Sequence, residues 1–304
     1  MNAKAQEIAK SYALFCGDSA ELLTQIPENS VDYIIYSVPF RSLYVYSNSD
    51  RDLGNCRTDE EFDTQFSFIA KELLRVLKPG RLMSIHCMNL PTSKEKDGYI
   101  GIKDFRGDLI RLCTTMMDKN GNWENNFIYH SEVCIWRDPV TAMQRTKALG
   151  LLHKQLKKDS CMSRQGIPDY LVTFRKPGDN PDRVTHTNES FPVSKWQKYA
   201  SPVWFDINPN DTLNYRAARE GNDERHICPL ALPIIERSLE LWTSPGDTVL
   251  TPFMGIGSEA YMAVKMGRKA VGIELKESYY RQAVANVKSV AEDGQVDMFD
   301  GLEE

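Results

Sequence analysis

The sequence predicts an α/β fold around a parallel sheet, and three observations carry that prediction. Apolar runs of strand length alternate with segments of helical period, as strands joined by crossover helices do. One such run leads into a glycine turn and then a helix, and the run after it ends on an acid. The 304 residues, 41% hydrophobic and 26% charged, suffice for one large core or two modest ones.

The predicted strands are Val31 to Tyr36, Leu82 to His86, Phe127 to Trp136, Thr248 to Leu250 and Ala270 to Ile273. The clearest helix is DEEFDTQFSFIAKELLRVLKPG, in which Phe62, Phe66, Ile69, Leu73, Leu74 and Leu77 recur at three- and four-residue steps. Asp59 opens it among acids that suit the positive helix end, and Pro79-Gly80 is expected to stop it. Further helices are expected over Pro229 to Trp242, from Gly257, and over Lys276 to Val290.

Between residues 139 and 224 the pattern changes to Pro-, Asn- and Asp-rich sequence with no sustained period, the mark of an irregular insertion. Most of a basic window, Arg137 to Lys176, lies here: nine basic residues against three acids, a local balance of +6 in a chain of net charge −5. Such a window is a candidate phosphate-contacting surface, and equally a solvated face. No apolar run approaches the roughly 18 to 20 residues that cross a bilayer, and MNAKAQEIAK lacks a signal-peptide core, so a cytoplasmic protein is expected. The seven scattered cysteines form no C-x-x-C pair and indicate neither a disulfide framework nor a zinc site.

In an open parallel sheet, ligands bind beyond the carboxyl ends of the strands. One such end is DTVLTPFMGIGSEAYMAVKMG, where Gly255-x-Gly257 precedes a helix. Alone this turn is weak evidence, because glycine also serves merely to turn a chain. Glu274, about twenty positions on at the tip of the next strand, is placed to accept hydrogen bonds from ribose hydroxyls. The absence of a third glycine tilts the choice from NAD toward S-adenosylmethionine. The second strand end is Ser37-Val38-Pro39-Phe40, where a hydroxyl and a carbonyl could accept from an exocyclic amine while a ring stacks on a flipped base.

These residues resemble the amino-group DNA methyltransferases, whose catalytic motif is [D/N/S]-P-P-[Y/F] and whose cofactor motif contains F-x-G-x-G; here they stand as SVPF and FMGIG. The catalytic motif comes first, as in the family's β group, and flanking segments such as RVLKPGRLMSIH and HICPLALPIIERSLELWTSPGDTVL fall in the family's order. The resemblance implies a Rossmann-like S-adenosylmethionine-dependent methyltransferase sheet with an inserted irregular target-recognition region. It divides the chain into a catalytic half (1–138), a target-recognition region (139–224), a cofactor half (225–290) and an acidic tail (291–304). It also implies a site-specific enzyme acting on double-stranded DNA, with Ser37, Val38, Pro39 and Phe40 at the target base. Asp18 and Glu274 fall to the adenosine part of the cofactor, Phe253, Gly255 and Gly257 to its methionine side and floor, and His226 and Ser258 to the pocket wall. Arg145, Lys147, Lys154, Lys157, Lys158 and Arg164 are the expected phosphate contacts. Capping of a helix over Ser19 to Leu23 is the alternative role for Asp18.

Two departures from the family pattern stand out: Val38 replaces the first proline, and Thr251 replaces the acid usual before Pro-Phe. They point to a looser loop and weaker cofactor binding, and they motivate an alternative, a catalytically weakened DNA- or cofactor-binding relative. Serine at position 37 is the form associated with cytosine N4, with adenine N6 the second choice. SLYVYSNSDRDLGN is similar to solitary methyltransferases of phages and prophages, which implies protection of phage DNA in a bacterial cell. After a helix expected to end near Val290, Gln295-Val296-Asp297-Met298-Phe299 resembles the peptide by which replication proteins dock on the bacterial sliding clamp.

Overall fold

The computed structural model describes residues 3–40, 52–115, 126–140, 153–162, 165–214 and 229–296. Its strands are β1 (Ala5–Ile8), β2 (Tyr12–Cys16), β3 (Val31–Ser37), β4 (Leu77–Met88), β5 (Leu90–Pro91), β6 (Ile102–Lys103), β7 (Ile128–Ile135), β8 (Asp169–Arg175), β9 (Val203–Trp204), β10 (Thr248–Thr251) and β11 (Lys269–Glu274). Its helices are α1 (Ser19–Leu22), α2 (Asp59–Val76), α3 (Lys94–Asp97), α4 (Phe105–Thr114), α5 (His153–Leu156), α6 (Val193–Tyr199), α7 (Leu232–Trp242), α8 (Ser258–Lys265) and α9 (Glu277–Val296).

Nine strands form one sheet in the order β1-β2-β11-β10-β3-β4-β8-β7-β9. The five from β2 to β4 run parallel, and β8 adds antiparallel to both β4 and β7. Because helices cover both faces, β3 is buried on successive residues rather than on alternate ones. Its successive side chains feed two cores. Ile34 and Tyr36 join Phe62, Phe66 and Leu73 of α2 on one face, and Tyr33 and Ile35 join Ile234, Ala263 and Val287 of α7, α8 and α9 on the other. A ladder of hydroxyls crosses the sheet between them, from Tyr33 to Ser84 (2.7 Å) to Thr173 (2.9 Å).

At the amino ends of the central strands, buried Asp32 receives the Lys78 ammonium at 2.7 Å and the Thr248 amide at 2.9 Å. Arg81, also buried, donates to the Asp32 carbonyl and pairs with Asp247. The starts of β3, β4 and β10 are thereby fixed to one another, which sets the relative heights of their carboxyl ends.

Asp59 opens α2 as expected, with Thr58 before it as the cap: the Thr58 hydroxyl accepts the Glu61 amide at 3.1 Å, while the Glu61 carboxylate accepts the Arg57 amide at 2.8 Å. Three expectations are corrected. The helix stops at Val76 rather than at Pro79-Gly80, because Leu77 already pairs with Val31 in the sheet. The middle region carries a strand, β8, that belongs to the main sheet, so 139–224 is not irregular throughout. Finally, α9 continues to Val296, which puts Gln295 on a helix, while Asp297 to Phe299 lie outside the described residues.

Candidate active site

The sheet order reverses between β10 and β3, whose crossovers depart in opposite directions, and a crevice opens there beyond the carboxyl ends. It holds a cavity of about 640 Å³ lined by Ser37 to Phe40 after β3, Pro252 to Ile256 after β10, Glu274 to Lys276 after β11, and the start of α1. Phe68 and Ile69 of α2 and Tyr279 of α9 supply apolar wall. The two strand ends singled out in the sequence therefore face one space.

The lining is predominantly acidic. Among the described residues, Asp18, Glu21, Asp52, Glu259 and Glu274 face it with one base, Lys276, whose ammonium lies 4.4 Å from the centre of the Tyr279 ring. Such a cavity favours a cationic ligand and disfavours the pyrophosphate of a dinucleotide.

Glu274 organises the turn after β10. Its carboxyl oxygens accept the Gly255 amide at 2.7 Å and the Lys276 amide at 2.8 Å, and its carbonyl accepts the Gly17 amide at 2.9 Å. Burial raises the carboxyl to about 7 despite those two bonds, with Asp52 adding to the rise. The Gly255 amide is thus engaged within the protein. Gly257 does not line the cavity, contrary to its expected role: at φ 89° it starts α8, and a Cβ there would meet the Ala283 Cβ at 3.0 Å. Asp18 accepts the Ala20 amide at 2.9 Å as the cap of α1, the alternative role read for it, and also lines the cavity. Phe253 lines the floor, its ring edge-on to Tyr36 at 5.5 Å.

The end of β3 is held by residues the sequence did not single out. Ser37 Oγ lies 3.1 Å from His86 Nδ1, His86 Nε2 lies 3.0 Å from Asp169 Oδ2, and Arg137 donates to the same oxygen from Nε at 2.7 Å. Burial pushes the Asp169 carboxyl up, but His86 and then Arg137 outweigh it and hold the group below the usual carboxylate range. An ionised carboxylate only accepts, so His86 Nε2 carries a proton, and in the neutral ring Nδ1 offers its lone pair. The Ser37 hydroxyl then donates to Nδ1, which leaves its oxygen lone pairs free to accept from a group in the cavity.

Val38 is buried, and its amide donates to the His86 carbonyl at 3.2 Å, extending the β3–β4 ladder by a bond that proline has no N–H to make. That bond restrains the strand end which the loss of proline was expected to loosen. Phe40 lines the cavity with its ring 6.3 Å from Phe105, and Pro39 lines it too.

Of the basic window, Arg137 belongs to the Asp169 pair, Arg175 donates to the Gly178 carbonyl at 3.1 Å, and Lys176 donates to the Leu77 carbonyl at 2.7 Å. These three serve the fold, which the sequence balance could not distinguish. Lys154, Lys157 and Lys158 are exposed, whereas Arg145, Lys147, Arg164 and His226 lie outside the described residues.

Glu259, also missed, is 3% exposed on the first turn of α8 and lines the cavity together with Ser37. An acid there looks in sequence like an ordinary partner of the helix dipole. His86 had a fainter signal, since it ends the predicted strand just as Tyr36-Ser37 ends its neighbour.

A doubly wound sheet with an acidic, partly apolar crevice at its switch point defines a nucleoside-binding α/β protein. A family model described as DNA methylase, of the N6/N4 type, matches residues 31–285, and the chain belongs to that family. It is 32% identical over 285 residues to the type II methyltransferase M.ScaI of Streptomyces caespitosus, covering 92% of this chain and 82% of that one. It is 25% identical over 268 residues to the type II methyltransferase M.BglII of Bacillus subtilis, covering 88% of this chain but only 66% of its relative's length. The solved structure of PvuII DNA methyltransferase, cytosine-N4-specific, shares the fold with a TM-score of 0.64 and 16% identity, over 96% of this chain and 95% of that one.

Proposed function

We propose that the protein transfers a methyl group from S-adenosylmethionine to the exocyclic amine of a base flipped out of double-stranded DNA, with cytosine N4 as the target. The observation that carries this reading is the single cavity shared by the Ser37-Val38-Pro39-Phe40 end and the Glu274–Gly255 turn. The residues present suit the cofactor. The lining is acidic, as a sulfonium and an ammonium require, and Ser258 Oγ, buried in the wall, has no protein partner.

Glu274 and Asp18 would hold the adenosine part, and Phe253, Gly255 and Ser258 the methionine side. When bound, S-adenosylmethionine supplies an electrophilic methyl group. Positioning falls to the chain: Ser37 Oγ and the Val38 carbonyl accept from the amine and orient its lone pair, and Phe40 packs on the base. As the nitrogen gains a carbon it must lose a proton. Ser37 Oγ takes that proton while passing its own to His86 Nδ1, and Asp169 faces the imidazolium that results.

Serine at position 37 supports cytosine N4 over adenine N6, for which the same acceptors would serve. Target recognition falls to the parts of 139–224 outside β8, with Lys154, Lys157 and Lys158 toward phosphates. Nucleoside mass spectrometry of DNA from a methylation-deficient host expressing the protein tests the reading. N4-methylcytosine is the expected product; N6-methyladenine would overturn the choice of base, and unmodified DNA the activity.

A further inference from the structure

Resting on that reading of the cofactor, we infer that Glu259 is the carboxylate that receives the cofactor's α-ammonium group, replacing the acid absent at Thr251. Thr251 ends β10 fully buried, its hydroxyl without a protein partner, so this position offers no charge to the cavity. Glu259 follows eight residues later in the chain and does line the cavity, because the Gly255–Gly257 turn reverses the backbone and starts α8 there. It is buried and lines the same cavity as Ser37, and Lys276 is the one cationic side chain in that lining among the described residues. The charged groups around it are Glu274 at the end of β11, Asp52 beside that glutamate, Asp18 and Glu21 on the α1 side, and Lys276, whose amide is bound to Glu274.

A carboxyl buried without a counter-ion keeps its proton. Burial raises Glu259 to about 8, and the neighbouring Glu274 adds to the rise. Such a group is costly to ionise in the ligand-free protein and is suited to ionising when a cation arrives. An ammonium entering beside it displaces the proton to solvent and leaves a charge-assisted hydrogen bond in a site shielded from water.

Calorimetry on the full chain with three probes tests this: S-adenosylmethionine, S-adenosylhomocysteine, and 5′-methylthioadenosine, which has the nucleoside and sulfur but no amino-acid end. Glu259→Gln keeps the shape and removes the charge. It should weaken the first two probes about tenfold or more, as loss of a charged hydrogen bond does, and leave the third unchanged. Proton release on binding S-adenosylhomocysteine, read from heats in two buffers of different ionisation enthalpy, should shrink in the variant. Equal affinity of wild type and variant for all probes would overturn the inference, as would equal weakening of all three, which would make Glu259 a scaffold residue. Failure of the wild type to bind any probe would instead overturn the cofactor reading itself.

Discussion

The Ser37 hydroxyl is useful only if its proton points away from the cavity, and that direction is set two residues away in space. Asp169 fixes the proton on His86 Nε2, and His86 then draws the serine proton. Asp169→Asn offers an amide that can donate to Nε2, which permits the opposite tautomer and turns the serine proton toward the amine. Methyl transfer should fall by about a hundredfold or more, the scale of a lost acid–base partner, with calorimetric cofactor affinity unchanged. Ser37→Ala should lose transfer with the same retained affinity, and undiminished turnover in either variant would remove the relay from the mechanism. What the sequence revealed at this scale was what is local. Ser37 to Phe40, Asp18 and Glu274 follow strands or turns within a few residues, and those patterns are visible in one dimension. His86 and Asp169 are 83 residues apart, Ser37 and His86 49 apart, and nothing in either segment announces the pairing. Glu259 was hidden differently, because burial rather than spacing distinguishes it from a surface acid.

Among the elements, α2 shows how caps and register divide the work. Its amphipathic stripe was legible because Phe62, Phe66, Ile69 and Leu73 share one face, and all four are buried against the sheet. Its cap and its end were not, because the cap depends on which hydroxyl meets an orphan amide and the end on Leu77 being drawn into the sheet. Thr58→Ala should lower unfolding free energy by about 1 kcal/mol in a urea titration, with little effect on the slope of the transition. A loss below a few tenths would mean that the Glu61 carboxylate alone holds the helix start. Strand β8 escaped notice because DYLVTFR follows polar sequence and pairs antiparallel with β7, which lies more than thirty residues upstream. Yet it carries Asp169 and Thr173, so the region expected to read DNA also completes the support of Ser37.

At the scale of the molecule, charge is segregated: five acids face the crevice, while Lys154, Lys157 and Lys158 stand exposed elsewhere on the chain. Replacing those three lysines by glutamine should flatten the dependence of log affinity for DNA on log salt by roughly 0.9 for each phosphate left without its lysine. An unchanged slope would leave them a solvated face. The acidic crevice has a second consequence, for folding. Glu259 and Glu274, raised to about 8 and about 7, hold protons in the folded, ligand-free protein that an unfolded chain releases near the ordinary glutamate value of 4.5. Between those limits the folded state binds more protons than the unfolded one, so its stability falls as pH rises, by up to about 1.4 kcal/mol per pH unit for each group. Other shifted groups act outside this window or weakly within it. Asp169 and Asp206 lie below the ordinary carboxylate range and lose their contribution only in acid. His130, lowered by burial and by Arg175, opposes the trend near its ordinary value, but it is exposed on β7, where solvent screens it. The melting midpoint of the ligand-free protein should therefore decline steadily from about pH 5 to about pH 8. A Glu259→Gln, Glu274→Gln double variant should melt with a flatter profile, because amides have no proton to lose. A wild-type midpoint that holds level or climbs across that range would mean that both carboxyls are ionised at ordinary pH, in a crevice open to water rather than one prepared for a cation.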